Sequence, residues 1–321
     1  MIKSDYTVGD VRMETLEIMF DGFDGFVYAN GRQQAKLRIK ARKQIVNQDM
    51  RWVNMPLSDD EKNSIELVTL NKHKNPPKGV VYKFCSDGYN FGPLNVQKTM
   101  IDENASVEGG EGYEYISLFV STNTTQAHDL AVFINLAGEK NWCYSDDAGT
   151  DKFITLEGKT PYSINASDMK ASVDDAYYYH NACTHIHDVD VYYWTLPHGL
   201  TMTSLAISGG MRYANNEIYF FQSGWDMEYI RWSRLYDMSI TSLTVGDCTP
   251  SSDRRSGDPV PYNASNVHLT ATRYKLSGSS YHDAETRVTG IYQFVDNFGC
   301  KHELHVQEQT GDSNLIELID A

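Results

Sequence analysis

A strict two-residue alternation between Ala35 and Arg42 constrains the fold of this chain more than any other feature of its sequence. Small or apolar residues occupy the odd positions from Ala35 to Ala41, and cations occupy the even positions. The four cations are Lys36, Arg38, Lys40 and Arg42. Because successive side chains of a β-strand leave opposite faces of its sheet, this period predicts a half-buried strand. The Asn30-Gly31 turn signal just before it supports that prediction.

Short apolar or aromatic segments separated by Gly- and Asn-containing turns continue along the rest of the chain. Many short strands at roughly even spacing are typical of a β-sandwich. Few segments have helical periodicity. One short helical turn is indicated where Ser58 precedes Glu61 with the spacing of a capping box. We therefore predict an all-β fold of two antiparallel β-sandwich domains, Ig-like or jelly-roll-like, with an N-terminal arm.

The length of 321 residues suits two domains, since domains commonly contain about 100–200 residues. We predict an N-terminal arm or strand over residues 1–20 and an Ig-like sandwich over residues 21–165. A second, aromatic-rich sandwich then covers residues 170–321, with a long loop at 246–265. The boundary is placed in the polar stretch between Pro161 and Asp175.

The net charge of −15 argues against nucleic acid as the main partner, because phosphate binding needs a basic field. Against this background the four cations on one strand face stand out. One interpretation is a solvated strand face, or an edge strand that its cations protect from aggregation. The other is a docking stripe for an acidic surface, possibly another copy of the chain, so Lys36, Arg38, Lys40 and Arg42 are candidate partner-binding residues.

The five cysteines are widely spaced, odd in number and without a CxxC motif, so they predict reduced and mostly buried thiols. The N-terminus has no apolar segment typical of a signal peptide. No apolar run approaches the ~20 residues of a membrane helix. We expect synthesis in the cytoplasm and no membrane span, with any extracellular role following lysis or dedicated export.

An aromatic run at 225–232 is the second candidate partner-binding surface. On a strand, Trp225, Tyr229 and Arg231 would share one face. Trp, Tyr and Arg dominate binding hot spots, which favours an interface. The alternative is an ordinary sandwich core.

A histidine-rich segment at 180–187 is the candidate metal site. His185 and His187 would share a strand face, and His180 or Cys183 could complete the ligand set. That face continues as Val189 and Val191, which favours hydrogen-bonded packing instead. No cofactor motif is present in the sequence, and we predict no cofactor.

Two acids, Asp188 and Asp190, alternate with this face and precede Tyr192 and Trp194. Acids beside aromatic rings could bind a sugar or act as acid and base. A solvated strand face is the preferred interpretation.

The segment Tyr28–Ile39, which reads YANGRQQAKLRI, resembles the opening of the bacterial Ig-like domains of the invasin and intimin adhesins. The resemblance implies an Ig-like sandwich and a surface-binding role. The whole chain also resembles a group of uncharacterised bacterial proteins with the same Ala-Asn-Gly-Arg-Gln-Gln opening and a C-terminal turn like Asp296–Cys300.

These observations predict a non-enzymatic structural or surface-binding protein of bacterial or phage-like origin. It would self-assemble as a homo-oligomer, or bind a surface receptor or glycan, through strand edges and aromatic patches. Two alternatives stay open. One is a host-directed, insecticidal-type toxin released on lysis, and the other is a metal-dependent or sugar-cleaving enzyme built on His180–Asp190.

Overall fold

A computed structural model describes residues 6–22, 25–71, 75–94, 112–136, 142–147, 152–180, 186–212, 218–219, 221–223, 229–249, 255–263, 265–277 and 286–321. Strands dominate these ranges, and the all-β prediction is confirmed. The chain divides into two compact units, Met1–Pro161 and Tyr162–Ala321. No helix in the described ranges has the length and apolarity needed to cross a membrane.

The first unit contains ten strands and one short helix within its described residues. The strands are β1 (Val11–Phe20), β2 (Phe26–Tyr28), β3 (Ala35–Val46), β4 (Trp52–Met55), β5 (Glu66–Thr69), β6 (Val80–Lys83), β7 (Glu114–Thr122), β8 (Ala127–Asn135), β9 (Trp142–Tyr144) and β10 (Ile154–Lys159). The helix α1 (Asp59–Asn63) begins with the predicted capping box, in which Ser58 and Glu61 each accept the other's backbone N–H.

Two five-stranded sheets enclose the core of the first unit. One has the order β1-β3-β7-β6, with β4 also paired to β3, and the other has the order β2-β10-β8-β5, with β9 paired to β8. The β2–β10 pair is parallel, whereas the other pairs in this unit are antiparallel. The odd residues of β3 enter the core with Leu118, Leu130 and Ile134. The predicted arm is in part the edge strand β1.

The second unit contains fourteen strands within its described residues. They are β11 (Lys170–His180), β12 (Ile186–Thr195), β13 (Met202–Gly209), β14 (Met211–Arg212), β15 (Ile218–Tyr219), β16 (Phe221–Ser223), β17 (Tyr229–Tyr236), β18 (Leu243–Thr244), β19 (Pro259–Val260), β20 (His268–Ser277), β21 (Thr286–Arg287), β22 (Gly290–Asp296), β23 (Lys301–Gln309) and β24 (Asp312–Asp320). The helix α2 spans Val245–Cys248.

A six-stranded sheet of order β11-β12-β20-β17-β16-β21 and a four-stranded sheet of order β13-β22-β23-β24 form the second unit. Two short pairs, β14–β15 and β18–β19, accompany them. One core cluster joins Val189, Val191 and Tyr274 of the large sheet to Cys248 and Val260. The predicted long loop at 246–265 is therefore not a loop throughout, because it contributes part of α2 and β19 to this core.

None of the four cysteines within the described ranges is in a disulfide. Cys248 and Cys300 are buried, Cys143 is partly buried, and Cys85 is exposed. Cys183 lies outside the described residues.

Candidate functional site

The four cations of β3 lie on the outer face of the first sheet, and acids from the neighbouring strand and turn neutralise them. Asp21 contacts both Lys36 Nζ at 2.9 Å and Arg38 Nη2 at 2.6 Å. Farther along the strand, Lys40 lies 3.6 Å from Glu17, and Arg42 forms an ion pair with Glu14.

A shift of register in the β1–β3 pairing falls at Glu14. The hydrogen bond from Arg42, together with one from Thr15, lowers the pKa of Glu14 to about 2. The carboxylate therefore stays charged at any physiological pH, and the ion pair with Arg42 persists.

Tyrosine rings lie on the other side of these cations. Lys40 Nζ and Arg42 Cζ each lie 4.3 Å from the ring centroid of Tyr113, and Arg38 Cζ lies 5.9 Å from that of Tyr115. Strand β3 is central in its sheet, between β1 and β7. Its cations therefore do not protect an edge strand, and each of them is already paired with an acid. A partner at this face would compete with these contacts.

Two of the three histidines of the predicted metal site, His180 and His187, are not brought together. In the antiparallel β11–β12 pair, Tyr179 lies opposite His187 and His180 lies opposite Ile186. Residues directly opposite each other share a face, so His180 and His187 leave opposite faces of the sheet and cannot share an ion. His185 lies outside the described residues. The structure therefore separates His180 from His187 and does not test the pairing of His185 with His187.

His187 is instead a packed core residue. Its side chain is 3% exposed, and its Nδ1 lies 2.7 Å from the hydroxyl of Tyr274. The ring also packs against Tyr179 and Tyr274. For His187 the structure therefore agrees with hydrogen-bonded packing, the interpretation that Val189 and Val191 favour.

Only part of the aromatic run at 225–232 lies within the described residues. Trp225 and the side chain of Tyr229 lie outside the described residues. Arg231 is 4% exposed in β17, where it lies opposite Lys275 of β20. A side chain this deeply buried cannot form an accessible contact surface, which corrects the partner-binding prediction for Arg231. Burial, and then the nearby Arg231, lower the pKa of Arg273 to about 9, so Arg273 remains charged at neutral pH.

Three carboxylates meet at an irregularity of β11. The β11–β12 register shifts between Asp175 and Tyr177, so Asp175 lies opposite Asp190 and beside Asp188. One oxygen of each carboxylate lies within 4.8 Å of the others. Lys275 and Arg273 of β20 lie opposite Asp188 and Asp190 and offset this negative charge.

Burial, together with the charges of Asp188 and Asp175, raises the pKa of Asp190 to about 6, against the lowering effect of Arg273 and Lys275. The pKa of Asp188 is raised by burial and by Asp175. The chemistry available to this cluster is therefore proton exchange in the mildly acidic range.

Strand β11 is the exposed edge of the six-stranded sheet. It pairs with β12 on one side, and no strand in the described ranges pairs with its other side. The first six residues, Lys170–Asp175, are all exposed. Val173 and Tyr178 are 49% and 61% exposed. Its beginning falls within the polar stretch that the sequence predicts as a domain boundary, and the run Tyr177–Tyr179 is the one β signal that could have revealed it.

Comparisons with known proteins add little to this description. No protein-family model and no curated protein matches the chain. Solved structures align over most of its length. The C-terminal domain of the Streptococcus pyogenes antigen I/II-family protein AspA aligns at 9% identity with a TM-score of 0.22, covering 93% of this chain and 99% of that chain.

Two further solved structures are similar over comparable lengths. The C-terminal domain of the Streptococcus agalactiae AgI/II polypeptide BspA has 9% identity and a TM-score of 0.23, covering 96% of this chain and 99% of that chain. The collagen binding domain of the Erysipelothrix rhusiopathiae surface protein RspB has 8% identity and a TM-score of 0.18, covering 96% and 93%. Because these TM-scores lie far below 0.5, the likeness establishes neither the fold nor the function of this chain, and the resemblance to invasin and intimin domains stays a prediction.

Proposed function

We propose that this chain is a non-enzymatic structural protein that self-assembles by strand addition at β11. The observation that carries the proposal is the exposed outer edge of this strand, Lys170–His180. The backbone N–H and C=O groups along such an edge form a template for another strand. Each hydrogen bond added there contributes about 0.5–1.5 kcal/mol.

Natural edge strands are usually short or protected by inward-pointing charge, proline or a covering segment. Strand β11 contains no proline, and its first five residues, Lys170–Asp174, lie before the register shift with β12. Its exposed Val173 would be partly covered by a partner, which adds apolar burial to the backbone pairing. Both features favour docking over simple solvation.

The preferred occupant is the same strand of a second copy. Antiparallel pairing about a two-fold axis makes each contact occur twice. A register centred on Ser172 places Lys170 opposite Asp174 of the second copy, and Ala171 opposite Val173. The strand is thus self-complementary in charge in this register.

The net charge of −15 opposes association, because two copies repel each other at long range. Salt screens this repulsion over a distance of about 8–10 Å at 0.1–0.15 M. Backbone pairing and apolar contacts are screened much less. The proposal therefore expects association to strengthen from low to moderate salt.

Light scattering of the purified chain over a range of concentrations tests this proposal. We expect a dimer or larger assembly that Val173→Lys disrupts, because the charged side chain would replace the apolar contact with Ala171 of the second copy. Val81→Lys is the matched control, since Val81 is a similarly exposed valine on β6, an edge strand of the first unit. A monomer at every concentration and salt, or equal loss in both variants, would contradict the proposal.

A further inference from the structure

An aromatic surface in the first unit has features of a docking site that are independent of β11. Strand β8 points Ile134 and Val132 into the core, so Phe133 between them lies on the outer face of its sheet. Tyr144 of β9 lies opposite Phe133, with ring centroids 5.1 Å apart. Trp142 is two residues before Tyr144 and so shares this face.

Trp142 is the most exposed large aromatic residue among those described, at 62%. Other aromatic rings in this unit already carry a cation. Arg12 lies 4.3 Å from the ring centroid of Trp52, and Lys159 lies 3.9 Å from that of Phe26. No described lysine or arginine stacks on Trp142. At 62% exposure, most of the Trp142 side chain is accessible to a ligand.

Carboxylates border the same aromatic surface. Glu66 of β5 lies opposite Phe133, on the side away from Tyr144, and it is exposed. Asp147 accepts the backbone N–H of Tyr144 at 3.0 Å, and Asp146 accepts that of Asn71 at 2.7 Å. Burial raises the pKa of the Tyr144 hydroxyl, and the charges of Asp147, Asp146 and Glu66 raise it further, as expected if all three lie near the ring.

We infer that this outer face docks a basic polypeptide segment, with lysine or arginine side chains seated on Trp142 and Tyr144 and facing the three carboxylates. Charge complementarity favours a basic polypeptide as the ligand of this face. An aromatic ring attracts a cation through its quadrupole, and adjacent carboxylates add to that attraction. A neutral sugar would gain from the rings but would derive no comparable advantage from three negative charges.

Fluorescence anisotropy with labelled arginine-rich and lysine-rich peptides tests this inference on the full chain. We expect binding that weakens as salt rises, with the arginine-rich peptide binding more tightly because guanidinium stacks well on aromatic rings. Trp142→Ala should lower the affinity about tenfold. Glu66→Gln, which keeps the shape of the side chain, should also lower the affinity. Because it removes one negative charge, the affinity of this variant should depend less on salt concentration.

Phe84→Ala is the control, because Phe84 is an exposed aromatic residue, at 50%, that follows β6 in the other sheet of this unit. We expect this variant to bind the peptides as the wild type does. Equal loss in the control, or unchanged binding by Trp142→Ala, would show that the peptides respond only to the overall negative charge and would overturn the inference. Binding of a neutral glycan that depends on Trp142 while the basic peptides do not compete would overturn it in favour of a carbohydrate site.

Discussion

Lys43 and Glu61 form a buried ion pair in which the ammonium group lies 2.8 Å and 2.9 Å from the two carboxylate oxygens. Their side chains are 6% and 1% exposed. Lys43 occupies an odd position of β3, where its side chain points inward, and Glu61 belongs to the first turn of α1. The pair therefore fastens the helix to the sheet.

Replacing only Lys43 should strongly destabilise the first unit. Lys43→Met leaves the Glu61 carboxylate buried without its cation, and breaking such a pair costs about 3–5 kcal/mol. Denaturant unfolding followed by circular dichroism measures the loss. Lys62→Met removes a more exposed cation, which lies 2.6 Å from Glu114, and should cost about 1 kcal/mol or less. Similar losses in the two variants would refute the structural role given to Lys43.

A second prediction concerns Asp296, which collects hydrogen bonds in the second unit. Its Oδ1 accepts the backbone N–H groups of Phe298 and Cys300, at 2.8 and 3.0 Å. Its Oδ2 accepts the hydroxyl of Tyr162 and lies 3.0 Å from His302 Nε2. Ile164 donates its N–H to His302 Nδ1, so Nε2 carries the hydrogen that points at the carboxylate.

Asp296→Ala leaves several buried donors without an acceptor and should cost about 3–5 kcal/mol of unfolding free energy in the second unit. Thermal or denaturant unfolding provides the measurement. Asp237→Ala is the control, since Asp237 is an exposed turn residue that accepts the N–H of Ser239 at 2.8 Å. The control should lose about 1 kcal/mol or less. A mild effect of Asp296→Ala would mean that the turn holds its shape without the carboxylate.

The pH dependence of stability should carry a signature of Asp190. Its pKa is raised from 3.8 to about 6 in the folded chain, chiefly by burial. Between these two values the folded state binds more protons than the unfolded state, so stability falls as pH rises from about 4 to 6. Above that window the penalty is fully present, and below it the penalty is absent.

Asp190→Asn removes this penalty. After a discount for partial solvent exposure, we expect the variant to gain about 1–2 kcal/mol over the wild type above pH 7 and to gain nothing near pH 4. Unfolding measured at several pH values tests this, with the exposed Asp49→Asn as control. A gain that does not change with pH would exclude titration of Asp190 as its cause.

The parts of the fold that sequence reasoning predicts well are those in which burial repeats at short range. The strand from Ala35 onward is predictable from the sequence because its odd residues face the core. The start of the helix at Ser58–Glu61 is predictable because a capping box depends only on neighbouring residues. Lys43 continues this alternation of burial but breaks the apolar pattern, because a buried lysine depends on Glu61, a residue 18 positions away.

The parts that it misses depend on non-local pairing. Strand β11 carries no burial pattern over its first half, because an exposed edge imposes none, and so it resembles a polar linker. The opposite orientation of His180 and His187 follows from the register between two strands. Arg231 has the residue type of a binding hot spot, yet its strand places it in a buried position.

The most direct test of strand addition is a charge exchange at β11, read by light scattering as the dissociation constant of the assembly. Lys170→Asp and Asp174→Lys each create two like-charge contacts per pair of strands and should weaken association about tenfold, although they change the net charge in opposite directions. The double variant restores opposite charges and should recover wild-type association. A wild-type chain that stays monomeric, or a double variant no better than the singles, would contradict the account.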